Sequence, residues 1–149
     1  MHKLMIVLAV TVLGSSAVAS EQTDVMAPVQ QFVEGFNRGD TKMAERVCTH
    51  DTLIIDDFPP NVWQGAGATS RWLNDYEAYA KSNGITDGTI TLGKPSHIDV
   101  AGIHAYVVVP VTLALKKKGN PVSQPGVMTI ALRQDANRWR IAGWAWADG

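Results

Sequence analysis

The chain has 149 residues, 46% of them hydrophobic, with five Trp beside three Phe and three Tyr, a single Cys and a formal net charge of −1. That length suits one domain. The hydrophobic fraction excludes a disordered chain, and the near-neutral balance argues against a nucleic-acid partner. Five Trp ask for a large core or an aromatic pocket.

The N-terminal stretch MHKLMIVLAVTVLGSSAVAS reads as a secretory signal. His2 and Lys3 give a basic start, Leu4 to Leu13 is apolar apart from Thr11, and Ala17-Val18-Ala19 supplies the small-x-small cleavage pattern. Residues 1–19 are therefore expected to be removed, leaving one domain over residues 20–149 that is periplasmic or secreted. The alternatives are an uncleaved anchor or a buried N-terminal helix. The apolar run is too short to span a bilayer and no later run is long enough, so no membrane span is expected after cleavage. The residue after the cut is Ser20 and not a Cys, so a lipid anchor on the new N-terminus has no attachment point. Cys48 has no intrachain partner, and it follows Val47 on a helix face where a buried, inert thiol is expected.

Val25, Val29, Phe32, Val33 and Phe36 recur at helical spacing and predict an amphipathic helix over about 24–37, with Pro28 in its first turn. Gly39 suits the left-handed position that ends it, and Asp40 caps a short second helix carrying Met43, Ala44 and Val47 inward. A helix–helix turn fully explains the Arg38-Gly39-Asp40 triplet, which needs no adhesion role. Leu53-Ile54-Ile55 is a strand that Asp56-Asp57-Phe58-Pro59-Pro60 ends. A third helix runs from after Gly65 to about Asn83, with Ala68, Trp72, Tyr76, Tyr79 and Ala80 on one stripe.

Strands follow over 88–100 and 104–115 around an Ala101-Gly102-Ile103 turn. Along the second run Ala105, Val107, Val109, Val111, Leu113 and Leu115 share one face. The opposite face, His104 to Ala114, is not strongly polar, so a second subunit covering it, a homodimer, is expected. Lys116-Lys117-Lys118-Gly119 is an exposed hairpin tip, and residues 127–134 and 138–147 form the last hairpin around Asp135-Ala136-Asn137. Helices followed by an antiparallel meander predict an α+β fold, a curved sheet wrapped around helices.

Phe36-Asn37-Arg38-Gly39-Asp40, Ile54-Ile55-Asp56-Asp57-Phe58-Pro59-Pro60, Gly65, Trp139-Arg140-Ile141 and the Gly143-Trp144-Ala145-Trp146-Ala147 ending resemble the nuclear transport factor 2-like superfamily. The likeness is to its SnoaL-like members, and it covers essentially the whole of residues 20–149. The resemblance implies a cone-shaped fold, three N-terminal helices on a curved antiparallel sheet, enclosing an apolar cavity that takes a small hydrophobic molecule. The expected pocket residues are Phe32, Phe36, Ile54, Trp63, Trp72, Tyr76, Met128, Trp144 and Trp146. In the ketosteroid isomerases of this superfamily a strand Asp is the base, and a Tyr and a protonated Asp bind the oxyanion. Counted from Gly39-Asp40, that base falls on Asp56. The helix-one Tyr falls on Phe32, which donates no hydrogen bond, and the second acid falls near Met128. Ring N–H groups of Trp63, Trp72, Trp144 or Trp146 can replace the lost donors.

Asp56 is thus the candidate catalytic residue, with a strand-end cap as its alternative role. Asp57 points the opposite way if the strand is regular. His97, two residues from Asp99 and on the same strand face, is the second candidate, with a solvent-facing histidine as its alternative because Pro95 leaves open which face it takes. No metal-ligand spacing, nucleophile elbow or glycine-rich phosphate loop is present, so no metal and no cofactor are expected. In the last strand, regular alternation separates Trp139 and Ile141 from Trp144 and Trp146, whereas a bulge at Gly143 puts all four on one side. Three functions stay open: a binder of a small apolar molecule, a general acid–base isomerase, dehydratase or cyclase using Asp56, and a dimerising module with a filled cavity.

Overall fold

A computed structural model describes residues 14–149. The expected basic start and the apolar run of the signal lie outside the described residues. Helix α1 runs from Gly14 to Arg38, so it passes through the expected cleavage site, and Pro28 falls in its interior rather than in its first turn. Residues 14–24 are all exposed, and burial begins at Val25. From there Val25, Val29, Phe32 and Val33 bury the predicted stripe.

The turn into α2 (Thr41–Arg46) forms as the residues dictate. Gly39 takes φ +67°, the backbone N–H of Asp40 donates to the carbonyl of Gly35 at 2.8 Å, and Asp40 Oδ1 accepts from the Met43 N–H at 3.0 Å. The two helices meet at Gly35. A Cβ there would stand 2.8 Å from the Ala44 nitrogen and 3.0 Å from the Asp40 oxygen, both backbone atoms. Gly35→Ala is therefore expected to destabilise the fold by about 1–2 kcal/mol despite Ala's better helix propensity, read as a lower thermal midpoint.

The sheet strands are β1 (Cys48–Ile55), β2 (Val62–Trp63), β3 (Ile85–Leu92), β4 (His97–Ala101), β5 (His104–Lys117), β6 (Asn120–Asp135) and β7 (Arg138–Asp148), with α3 (Ala68–Ser82) between β2 and β3. Their order is β2-β1-β7-β6-β5-β3, and β4 also pairs with β5. The meander is antiparallel as expected, but β1 lies parallel to β7, so the sheet is mixed. Cys48 opens β1 instead of sitting on a helix, and it is buried as expected.

The single strand expected over 88–100 is split into β3 and β4. Pro110 of β5 explains the break, because it has no N–H to give a neighbour on that side. The chain instead turns at Gly93, whose N–H donates to the Pro110 carbonyl at 2.7 Å. Strand β6 starts seven residues earlier than expected, at Asn120. Its Pro121 and Pro125 are tolerated because β7 ends opposite Gly126, leaving that stretch an edge. The hairpin tip Lys118-Gly119 has both φ positive, as does Ala136-Asn137.

The pairing of β6 with β7 shifts at one point: Ala131 faces Gly143 and Leu132 faces Ile141, leaving Ala142 bulged out. Trp144 and Trp146 then oppose Ile130 and Met128, which are both buried. The bulge therefore turns Trp139, Ile141, Trp144 and Trp146 to the same, concave face, where the helices pack.

Candidate functional site

Asp56 follows the last residue of β1. Its N–H donates to the Asn61 carbonyl at 3.1 Å, and Asn61 Nδ2 donates back to the Asp56 carbonyl at 3.0 Å, which closes the turn after the strand. This turn swings the carboxyl toward α3. Trp72 Nε1 donates to Asp56 Oδ2 at 2.7 Å, and the Asp57 N–H donates to Oδ1 at 2.8 Å. Burial pushes the Asp56 carboxyl up to about 6, against the lowering pull of the Trp72 and Asp57 hydrogen bonds. A carboxylate of that basicity is suited to general acid–base work near neutral pH.

Asp56 borders a cavity of about 240 Å³ on the concave face. One wall is aromatic. The Trp72 ring lies 5.8 Å from Phe32, 5.8 Å from Phe36, 6.1 Å from Tyr76, and 4.9 Å edge-to-face from Trp144. Helix α1 supplies Phe32 and Phe36, α3 supplies Trp72 and Tyr76, and β6 and β7 supply Met128, Trp144 and Trp146. The Trp146 ring covers Gly126, where a Cβ would collide with it. At the mouth Gln124 Nε2 donates to Asp57 Oδ2 at 3.3 Å and to Asp148 Oδ1 at 2.6 Å.

Seven of the nine expected pocket residues border this cavity. Ile54 and Trp63 do not. Ile54 is fully enclosed in the core, and Trp63 packs on Phe58 at 4.9 Å and donates from Nε1 to Asp75 Oδ2 at 2.7 Å. Asp57 borders the cavity together with Asp56, because β1 ends at Ile55 and strand alternation no longer governs either residue.

His97 is not part of the site. It pairs with Val108 in β4, next to Asp99 opposite Tyr106, so it shares the outer face with Tyr106, whose ring centroid lies 6.0 Å away. The face set by Val107 and Ala105 excludes it from the cavity. Phe58, Ile85, Ile90, Leu113, Leu115 and Tyr79 also line the cavity and were not among the expected pocket residues. The β5 alternation already carried Leu113 and Leu115, and the α3 stripe carried Tyr79. Phe58, Ile85 and Ile90 had no local signal. Cys48 is buried, and burial pushes its thiol up to about 11, so little thiolate forms near neutral pH. Among the described residues no cluster of three His, Cys, Asp or Glu can hold a metal ion, and no helix is long and apolar enough to cross a membrane.

Helices laid into a curved sheet around an apolar cavity define the class: an α+β domain of the nuclear transport factor 2-like fold. The SnoaL-like domain model matches residues 25–145, so the chain belongs to the SnoaL-like family. Solved structures similar to this chain share the fold at low identity. One is a protein of unknown function from Mycobacterium tuberculosis, 16% identical, with a TM-score of 0.73 over 93% of this chain and 78% of that one. A second is a ketosteroid isomerase-like protein from Erwinia carotovora atroseptica, 16% identical, with a TM-score of 0.68 over 86% and 95%. A third is a hexachlorocyclohexane dehydrochlorinase, 8% identical, with a TM-score of 0.75 over 91% and 90%. No curated protein matches the chain.

Proposed function

We propose that this domain binds a small apolar molecule in the cone cavity and that Asp56 moves a proton on it. The observation that carries this reading is a carboxyl of raised basicity, held by two hydrogen bonds, on the wall of an aromatic cavity. An apolar cavity of about 150 Å³ accommodates benzene, so about 240 Å³ suits one substituted ring better than a multi-ring body. Carbon acids activated by a neighbouring carbonyl fit best: the C–H proton passes to Asp56, the electron pair moves onto the carbonyl oxygen, and the proton returns at another carbon. Proton removal from carbon also opens an elimination, so the names of two structural relatives, a ketosteroid isomerase-like protein and a dehydrochlorinase, are compatible with it.

The test is hydrogen–deuterium exchange of one-ring ketones in D₂O, followed by proton NMR. The wild type is expected to accelerate exchange, and Asp56→Asn to lose about 10²–10⁴ of it. Equal rates for the two proteins would leave a binding role without chemistry.

The same reading takes residues 1–19 as an export signal and the domain as a homodimer. The exposed 14–24 stretch and the start of the family match at residue 25 support a body that begins after the signal. A row of small and apolar residues on the outer face supports the dimer. On it Leu53, Gly143, Ala131 and Tyr106 align in one row across four strands, with Leu53 39% and Tyr106 46% exposed. Native mass spectrometry of the exported protein is expected to give a chain beginning at Ser20, a doubled mass and a retained small molecule. Full-length monomers without added mass overturn all three.

A further inference from the structure

We propose that Trp146, seated on Gly126, is the wall that limits the cavity to one-ring molecules, so that this pair of residues selects the ligand by ring number. The inference rests on the cavity as a ligand site and adds what sets its size. It concerns binding alone and holds whether or not Asp56 moves a proton.

Strand β6 presents alternate residues to the concave face. Val122, Gln124 and Met128 of that row border the cavity, and Gly126 does not. Gly126 lies opposite Val111 of β5, which is buried, so a side chain on Gly126 would point inward like its neighbours in the row. The Trp146 ring takes that place. A Cβ on Gly126 would overlap Trp146 Cζ2 and stand 2.8 Å from Cε2 and 2.9 Å from Cη2. The φ of Gly126 is not in the left-handed region, so the glycine serves space and not backbone conformation. Glycine inside a strand costs stability. What it provides here is a recess in which the indole lies back against β6 instead of standing into the cavity.

The other aromatic residues of the wall hold one another. Trp72 packs on Phe32, Phe36, Tyr76 and Trp144, and Phe58 packs on Tyr76 and Tyr79. Among the described residues Trp146 stacks on no other ring. It is half-buried, whereas Trp144 is 5% exposed. Its anchor is polar and lies at the mouth: Nε1 donates to Asp148 Oδ1 at 3.1 Å, and the same oxygen accepts from Gln124 Nε2 at 2.6 Å. Trp146 can therefore be replaced without taking apart the cluster that holds Asp56.

The flat apolar face of an indole suits contact with a single ring. A fused second ring has no further space within about 240 Å³ while that indole stays in place. Removing the indole joins the cavity to the Gly126 recess behind it, and a methyl on Gly126 does the reverse by pushing the indole forward.

The test measures the binding of two neutral ketones, one-ring 3-methylcyclohexenone and two-ring 2-tetralone, by ligand-observed NMR titration. The wild type is expected to bind the one-ring ketone at least about tenfold more tightly than the two-ring ketone. Trp146→Ala is expected to reverse that order. Trp146→Phe, which keeps a smaller ring, is expected to fall between the two and decides the matter if Trp146→Ala does not fold. Gly126→Ala is expected to weaken the one-ring ketone about tenfold. In the double variant the added methyl has no indole to displace, so it is expected to bind both ketones as Trp146→Ala does. Circular dichroism verifies folding. A merely structural role predicts lower melting points with the ratio of the two affinities unchanged in every variant. That result overturns the proposal and leaves the cavity reading intact, as does equal binding of both ketones by the wild type. Binding of neither ketone to any of these proteins overturns the cavity reading, and this proposal with it.

Discussion

Asp56→Asn is expected to make the folded protein more stable at pH 7.5 and to leave it nearly unchanged at pH 4. The sign follows from the direction of the shift. Burial raises the carboxyl from 3.8 to about 6, so between those values the native state keeps a proton that the unfolded chain has lost. Stability then falls as pH rises from about 4 to about 6, by on the order of 2–3 kcal/mol, and is flat above. Asn carries no charge and does not take part in that loss. It cannot accept from both Trp72 Nε1 and the Asp57 N–H, which returns about 1 kcal/mol. The net expected gain is about 1–2 kcal/mol at pH 7.5, read from denaturant unfolding at the two pH values. An equal effect at both would mean that the wild-type carboxyl titrates in its ordinary range. A group held in its costlier form at neutral pH is what a functional site retains at the expense of stability.

Trp72→Ala is expected to destabilise the protein by about 3–5 kcal/mol, because the ring is 3% exposed and touches Phe32, Phe36, Tyr76 and Trp144 at once. Trp72→Phe keeps much of that packing and removes only the ring N–H. The bond it deletes lowers the Asp56 ionisation, so the Asp56 midpoint is expected to move above its value of about 6. Carbon NMR of the Asp56 carboxyl across pH 4–9 measures it. An unmoved midpoint would mean that the indole orients the carboxyl without tuning it.

Several parts of this arrangement were legible in the residues. The α1 stripe, the Gly39-Asp40 turn and the alternation along β5 are local patterns, and each reappears where its period places it. Asp56 was readable as a candidate because it ends an apolar strand and begins a proline turn. Its hold by Trp72 was not, since the two residues are 16 apart and meet only when α3 packs on the end of β1. The face of His97 was left open for a related reason. Its shared face with Asp99 was correct, but only the pairing of β4 with β5 decides that this face is the outer one. Ile54 and Trp63 carry the apolar and aromatic character of pocket residues, and the packing spends it on the core.

The five tryptophans make the same division. Residue order alone places two of them around the entry to α3 and three near the C-terminus, and it offers Gly143 as a bulge that would set the phase of the last strand; the structure puts the bulge one residue earlier, at Ala142. Only the tertiary structure resolved it. The bulge at Ala142 forms because β6 on one side and the parallel β1 on the other set the register of β7, and that register turns Trp144 and Trp146 inward. Periodicity is written in neighbouring residues, whereas register, face and the meeting of Asp56, Trp72, Tyr76 and Trp144 depend on partners far along the chain.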